Sequence, residues 1–149
     1  MKAAAPRVPT DGDIVRRVKL CGVSKGGKLL RPWSECPEVD ALIDTGATIT
    51  IISRTLAKLA GAQIVPGSQI LHGRSHDGAL LAVKLDAPGC GQSTLFVVVD
   101  DRAAATAGPR AFMLIGHDYL QNNHALIDYG ATTVVRCPPR RGTSRSRKA

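Results

Sequence analysis

Aromatic side chains are scarce in this sequence, because Phe, Trp and Tyr together make up 3% of its 149 residues although 44% of them are hydrophobic. A core of this composition must be built mainly from Val, Ile, Leu and Ala, which favours strands. No run of about eighteen apolar residues occurs, and the N-terminus lacks the apolar stretch of a signal peptide. We therefore expect one domain with a single modest core, a cytoplasmic location and no membrane contact.

Metal-ligand spacings are also missing. The four cysteines, Cys21, Cys36, Cys90 and Cys137, are widely scattered and form no CxxC pair. No acid or cysteine joins the four histidines at the spacing that zinc sites use. These patterns predict reduced, isolated thiols, and neither a metal nor any other cofactor.

Positive charge is concentrated at one end of the chain. Of the net charge of +8, five positive charges lie in the last twelve residues, which contain no acid: Arg140, Arg141, Arg145, Arg147 and Lys148. Without large apolar residues, this segment cannot bury enough surface to offset its ordering entropy. We therefore divide the chain into a flexible arm at 1–12, a folded domain at 13–137 and a disordered basic tail at 138–149.

The basic tail suits weak, nonspecific contact with nucleic-acid phosphates. The rest of the sequence has no basic patch interleaved with aromatic residues. A nucleic-acid-associated protein that acts through its tail is therefore an alternative function, but the less favoured one.

Alternating and continuous apolar stretches predict a chain made almost entirely of strands. We expect strands at 13–20, 29–33, 39–43, 48–52, 69–72, 79–85, 94–99, 112–116, 125–129 and 132–137. Segments 69–72 and 79–85 form a hairpin around a polar turn at 73–78. A glycine-rich turn is expected at 24–28 and a loop at 102–110.

Helical spacing occurs in two short segments. At 54–60, Leu56, Leu59 and Ala60 share one face, Ser53 is placed to cap the N-terminus and Gly61 to end the helix. A second short helix is expected at 117–123. The fold class predicted from these patterns is all-β with one or two short helices.

The most informative stretch is an apolar strand that enters the run Asp44-Thr45-Gly46-Ala47. An isolated Asp at such a turn is ionised and does little chemistry. If a two-fold axis brings a second Asp44 to about 3 Å, the two carboxylates cannot both ionise, and the pair shares one proton. One carboxylate then activates a water while the other protonates the scissile carbonyl. Gly46 permits close backbone approach, and the small Thr45 and Ala47 keep the carboxylate accessible.

Three blocks of this sequence resemble the retropepsin-like aspartic peptidases, which are found in retroviruses and retroelements, in cellular ubiquitin-shuttle proteins and in bacteria. Residues 41–48 resemble the active-site loop of that family, and 70–83 resemble its flap hairpin. The run Leu114-Ile115-Gly116-His117-Asp118-Tyr119-Leu120 is similar to its second signature of two apolar residues, Gly and a helix. Thr48 and His117 stand where retroviral enzymes carry an acid and an arginine, so the sequence is closer to the cellular and bacterial branches.

The resemblance implies a closed, barrel-like acid-protease fold with a single lobe and a flap hairpin. It implies a homodimeric aspartic endopeptidase, a hydrolase acting in proteolysis, in which Asp44 of each subunit is catalytic. Thr45 would bond across the two-fold axis, with Gly46 and Ala47 completing the loop.

We expect polypeptide substrates to bind as extended segments beneath the hairpin, with apolar residues at the scissile bond. Candidate contacts form three groups. The hairpin turn supplies Ser75, His76, Asp77 and Gly78. The pocket walls are Leu71, Leu80, Phe112 and Leu114, and the second signature comprises Leu114, Ile115 and Gly116.

Two further interpretations bear on Asp44. A catalytically silent module of the same fold would bind peptides by strand addition without cutting them. Residues 125–132 also repeat the octet around Asp44, with only Tyr129 differing, which suggests Asp128 as a second catalytic acid. We reject that assignment, because too little chain follows Asp128 to build a second lobe.

Overall fold

A computed structural model describes residues 14–100, 112–129 and 133–139. The expected arm at 1–12, the loop at 102–110 and almost all of the tail at 138–149 lie outside these residues. Nine strands are present in the described part: β1 (Ile14–Gly22), β2 (Glu38–Ile43), β3 (Ile51–Ile52), β4 (Ile64–Leu71), β5 (Arg74–Leu85), β6 (Gln92–Val99), β7 (Met113–Ile115), β8 (Leu126–Asp128) and β9 (Val134–Arg136). The helices are α1 (Arg54–Leu59), α2 (His117–Asn122) and a 3-10 turn (Trp33–Glu35).

Six strands close into a barrel in the order β1-β2-β7-β3-β6-β5, and β5 returns to pair with β1. The pairs β2–β7 and β3–β6 are parallel, whereas the other barrel pairs are antiparallel. Closure leaves these six strands without a free edge. β4 pairs with β5 outside the ring, and β8 and β9 form a separate two-stranded sheet. The predicted all-β class with short helices is confirmed.

The barrel interior is filled by aliphatic side chains, as the composition indicated. Leu81 and Val83 of β5 point inward with Leu20 of β1 and Ile115 of β7. Among the described residues, the largest fully buried side chain is that of Tyr119 in α2. Its hydroxyl donates to the Gly91 carbonyl at 2.7 Å and accepts from the Leu85 N–H at 3.0 Å. Burial raises the pKa of this hydroxyl, so the phenol remains a neutral donor.

Helix α1 confirms the predicted cap but not the whole predicted face. The Ser53 hydroxyl accepts a hydrogen bond from the Leu56 N–H at 3.2 Å. Leu56, Ala57 and Ala60 are buried, whereas Leu59 is 52% exposed, so the buried face does not extend to Leu59. At about 100° per residue, Leu59 lies roughly 110° from the centre of the buried face.

Several predicted strands differ from those of the structure, and β4, for instance, begins at Ile64 and not at residue 69. Residues 29–33 contribute only a single bridge to the sheet, because Pro32 lacks an N–H and instead begins the 3-10 turn, accepting from Glu35 at 2.9 Å. Of 48–52, only Ile51 and Ile52 form a strand. The hairpin turn is His72-Gly73, with φ of 52° and 74°, and the polar residues after Gly73 extend β5 beyond the barrel.

The expectation of isolated thiols was also wrong, because all four cysteines form disulfides. Cys21 in β1 pairs with Cys36, and Cys90 after β5 pairs with Cys137 after β9. The partners are 15 and 47 residues apart in sequence, so only the closed fold brings them together. Among the described residues, no helix is long and apolar enough to cross a membrane.

Candidate functional site

Asp44 lies immediately after β2, where the barrel strand ends. Its backbone N–H donates to the Ile115 carbonyl of β7 at 2.9 Å. Its Oδ1 accepts from the Gly46 N–H at 2.9 Å, and its carbonyl accepts from the Ala47 N–H at 3.1 Å. These bonds form a tight turn around a half-buried carboxylate. The local sequence therefore produces an oriented acid at the end of a rigid strand.

The second sequence motif lies directly beside the first. Leu42 and Ile43 of β2 pair in parallel with Leu114 and Ile115 of β7. Two motifs separated by about 70 residues thus occupy neighbouring strands, and Asp44 extends from the shared end of that pair. Parallel pairing brings the strand ends to the same edge, where polar side chains converge.

Gly116 fits closely beneath the segment that we call the Asp44 loop, residues 44–50. A Cβ at Gly116 would lie 2.6 Å from both the carbonyl carbon and the oxygen of Ile49, and 3.0 Å from the Ala47 oxygen. The next backbone N–H, of His117, donates to the Ala47 carbonyl at 2.8 Å. Only glycine permits this approach, so the second motif supports the loop by contact.

The β4–β5 hairpin covers the same loop. A cavity of about 110 Å³ is bounded by loop residues 46–49 and Ile51 below, and by Leu71 and His72 at the hairpin tip above. Leu71, Phe112 and Leu114 join one apolar cluster with Ala47 and Ile51. Of the four predicted wall residues, Leu71 lines this cavity, whereas Phe112 and Leu114 pack in the adjoining apolar cluster without lining it.

The remaining predicted wall residue lies elsewhere. Leu80 is in the middle of β5, where it pairs with Phe96 of β6, and it is not part of the apolar cluster beneath the hairpin. Along β5, the side chains that fill the barrel are those of the odd-numbered residues, Leu81 and Val83 among them. Leu80 therefore faces away from the barrel interior.

The four predicted hairpin contacts lie along β5 instead of at the tip. The Ser75 hydroxyl donates to the Gly67 carbonyl at 3.4 Å. A Cβ at Gly78 would clash with the Phe96 ring and the Ser68 hydroxyl, so this glycine serves close strand packing. His76 pairs with Gln69 and lines a polar cleft of about 320 Å³.

Asp77 is held in a salt bridge at the base of the hairpin. Its Oδ2 lies 2.6 Å from the Arg54 guanidinium of α1, and its Oδ1 accepts from the Gly67 N–H at 3.0 Å. The hydrogen bond from Arg54, followed by that from Gly67, lowers the pKa of this carboxyl. Asp77 thereby links β4, β5 and α1 and supports the hairpin that covers the Asp44 loop.

Thr45 is exposed on another side of the loop, at the rim of an apolar cavity of about 680 Å³. The cavity lies between α2 and the segment around β8, and its walls include Leu126 and Tyr129, which are 46% and 66% exposed. Exposed apolar residues gathered in this way are typical of an interaction surface. Sequence reasoning missed them because residues 125–129 match an ordinary structural strand.

Asp128, the rejected catalytic candidate, lies in the β8–β9 sheet opposite Val134, whereas Asp44 extends from the barrel sheet. Across the described ranges, no three His, Cys, Asp or Glu side chains gather to hold a metal ion. Comparison with models of known protein families found no match, and comparison with curated proteins found no significant similarity.

Proposed function

We propose that this protein is an aspartic endopeptidase of the retropepsin type, active as a homodimer. The observation that carries the proposal is the position of Asp44. Its carboxylate is oriented at the end of a barrel strand, its loop rests on Gly116, and the β4–β5 hairpin covers the loop. The two sequence motifs and the hairpin that resemble the retropepsin-like family thus lie around one carboxylate, and this placement supports the proposal.

The proposed chemistry requires two subunits. A two-fold axis beside Asp44 supplies the second carboxylate, so that one proton is shared between the pair. The pair then activates a water with one carboxylate and protonates the scissile carbonyl with the other. The exposed Thr45 beside the apolar cavity supports this arrangement, because burial of Leu126 and Tyr129 against a second copy would favour association.

The proposed substrate is an extended polypeptide segment with apolar side chains near the scissile bond. The cavity between the loop and the hairpin tip is bordered by Ala47, Ile49, Ile51 and Leu71. Aliphatic walls of this kind favour aliphatic side chains. Strand β4, which pairs with β5 outside the closed barrel, offers main-chain partners to an extended peptide along its other edge.

Disulfides bear on the compartment in which the proposed enzyme acts. The sequence predicted reduced thiols and a cytoplasmic location, but all four cysteines are paired. Disulfides persist in oxidising compartments and are rare in the cytosol. The pairing therefore favours an oxidising compartment over the cytoplasm.

The experiment compares the wild-type chain with Asp44→Asn in the digestion of unfolded proteins and a peptide library between about pH 3 and 7. We expect cleavage by the wild type and none by the variant, with sedimentation showing a dimer for both. Asp128→Asn is the matched control and should retain full cleavage. If a folded, dimeric wild type binds peptides without cutting them, the silent peptide-binding module is the better description.

A further inference from the structure

We propose that Asp118 is a positioning residue of the candidate active site, whose carboxylate holds the Asp44 loop in its catalytic conformation. This inference rests on the peptidase function proposed above. The residue has no contact with the cavity between the loop and the hairpin, so its contribution would pass through the loop backbone.

The Asp118 carboxylate joins helix α2 to the far end of the loop. Its Oδ2 accepts from the Thr50 backbone N–H at 3.0 Å, and its Oδ1 accepts from the Thr50 hydroxyl at 2.7 Å. Oδ1 also accepts from the N–H of Tyr119, the next residue of the helix, at 2.8 Å. A single carboxylate thereby binds both the main chain and the side chain of one loop residue.

Thr50 also forms a hydrogen bond with Gly116 of the second motif. Its side chain is fully buried, and its hydroxyl oxygen accepts from the Gly116 N–H at 3.2 Å while its proton is donated to Asp118. Both functions of the hydroxyl are therefore used. Because a buried polar group without a partner is costly, the loop is strongly favoured in this one conformation.

The loop is thus attached at both ends and in the middle. At its start, Asp44 bonds to β7, and at its end Thr50 bonds to Asp118. Between them, the Asp118 N–H donates to the Thr48 carbonyl at 3.2 Å. Removing the carboxylate would take away two hydrogen bonds at the Thr50 end and leave those from the Gly116 and Val98 N–H groups, so the position of the Asp44 carboxylate would become less sharply defined.

The chemistry of the contact requires a carboxylate. Two acceptor oxygens face the two donors of Thr50, its N–H and its hydroxyl. In Asp118→Asn, an NH2 group would replace one of the two acceptor oxygens and would face a donor of Thr50, so one of the two hydrogen bonds would be lost. Thr50→Val removes the hydroxyl at nearly constant volume, whereas Thr50→Ser keeps it.

The kinetic experiment measures kcat and KM for these variants at a temperature where all are folded. Loss of position at a catalytic group lowers the rate by up to about a hundredfold, so we expect Asp118→Asn and Thr50→Val to lower kcat by about 10- to 100-fold. KM should change by less than about threefold, since the cavity walls remain, and Thr50→Ser should stay near the wild-type kcat.

The matched control is Asn123→Ala at the other end of α2. It removes hydrogen bonds to Gly91 and Ser93 without contacting the Asp44 loop. This variant should lose thermal stability but keep its kcat. Unchanged kcat in Asp118→Asn and Thr50→Val, or an equal fall in Asn123→Ala, would overturn the positioning role.

Hydrogen exchange of backbone amides separates this inference from the proposed function. In Asp118→Asn, the amides of Ala47 and Thr50 should exchange at least about tenfold faster, while those of β1 are unchanged. This measurement needs no turnover. If the wild type is inactive but the loop amides exchange faster in Asp118→Asn, the proposed peptidase function is contradicted and the restraint of the loop by Asp118 is retained. If the exchange of the loop amides is unchanged in Asp118→Asn, the restraint itself is refuted.

Discussion

A methyl group added at Gly116 would press directly on the loop that carries Asp44. The new Cβ would lie 2.6 Å from the Ile49 carbonyl carbon and oxygen, against an ordinary contact distance of at least 3.4 Å. Relief of the clash requires a movement of about 0.8 Å, and both neighbours are backbone, which cannot rotate away. Overpacking of this kind costs about 1–3 kcal/mol of folding free energy.

From this magnitude we expect Gly116→Ala to lower the melting temperature by about 2–12 °C. The larger effect falls on catalysis, because a displacement near 1 Å at a catalytic group can cost about a hundredfold in rate. The assay is kcat on a cleaved peptide, measured together with thermal unfolding and sedimentation.

The matched control is Gly26→Ala in the turn after β1. A Cβ there has only the Ser24 hydroxyl nearby, at 3.8 Å, so stability and kcat should be almost unchanged. A dimeric Gly116→Ala variant with wild-type kcat would refute the argument that close contact at this glycine positions Asp44.

Three other perturbations address the hairpin, a disulfide and the apolar face. Asp77→Asn removes the salt bridge to Arg54. Folding lowers the pKa of Asp77, so the ionised carboxylate stabilises the fold at every pH above the pKa of the unfolded state. This stabilisation is lost as the pH falls through the lower pKa of the folded state. The variant should therefore melt at a lower temperature than the wild type at pH 7, and at the same temperature at strongly acid pH. Replacing Cys90 and Cys137 by Ser opens a link across 47 residues, worth about 4 kcal/mol, and calorimetry should show a melting temperature roughly 8–16 °C lower. Tyr129→Asp places a charge on the exposed apolar face, and sedimentation should show at least a tenfold weaker dimer; unchanged association would exclude this face as the interface.

Local sequence signals predicted those features whose causes are local. Ser53 begins α1 because its hydroxyl caps a neighbouring N–H three residues away. The alternation in β1 and the apolar run before Asp44 identified strands, since side chains of a strand face opposite sides in turn. The turn around Asp44 likewise depends on Gly46, two residues away.

The same signals failed where a distant segment decides the outcome. The polar residues after Gly73 match a turn, but pairing with β4 and β6 makes them part of a long strand. Thr48 and Thr50 match an alternating strand, but hydrogen bonds to α2 hold them in the loop. Leu80 matches a pocket wall, but in the middle of β5 it pairs with Phe96 and lies outside the apolar cluster beneath the hairpin.

The sequence by itself determined the strand-rich class, the capped helix and the two short motifs that frame Asp44. Tertiary structure alone decided that Gly116 touches the Asp44 loop, that Cys90 meets Cys137 and that Thr45 borders an exposed apolar cavity. The physical reason is the range of the forces involved. Capping and alternation act over a few residues, whereas barrel closure joins segments tens of residues apart and is favoured by burial of the whole core.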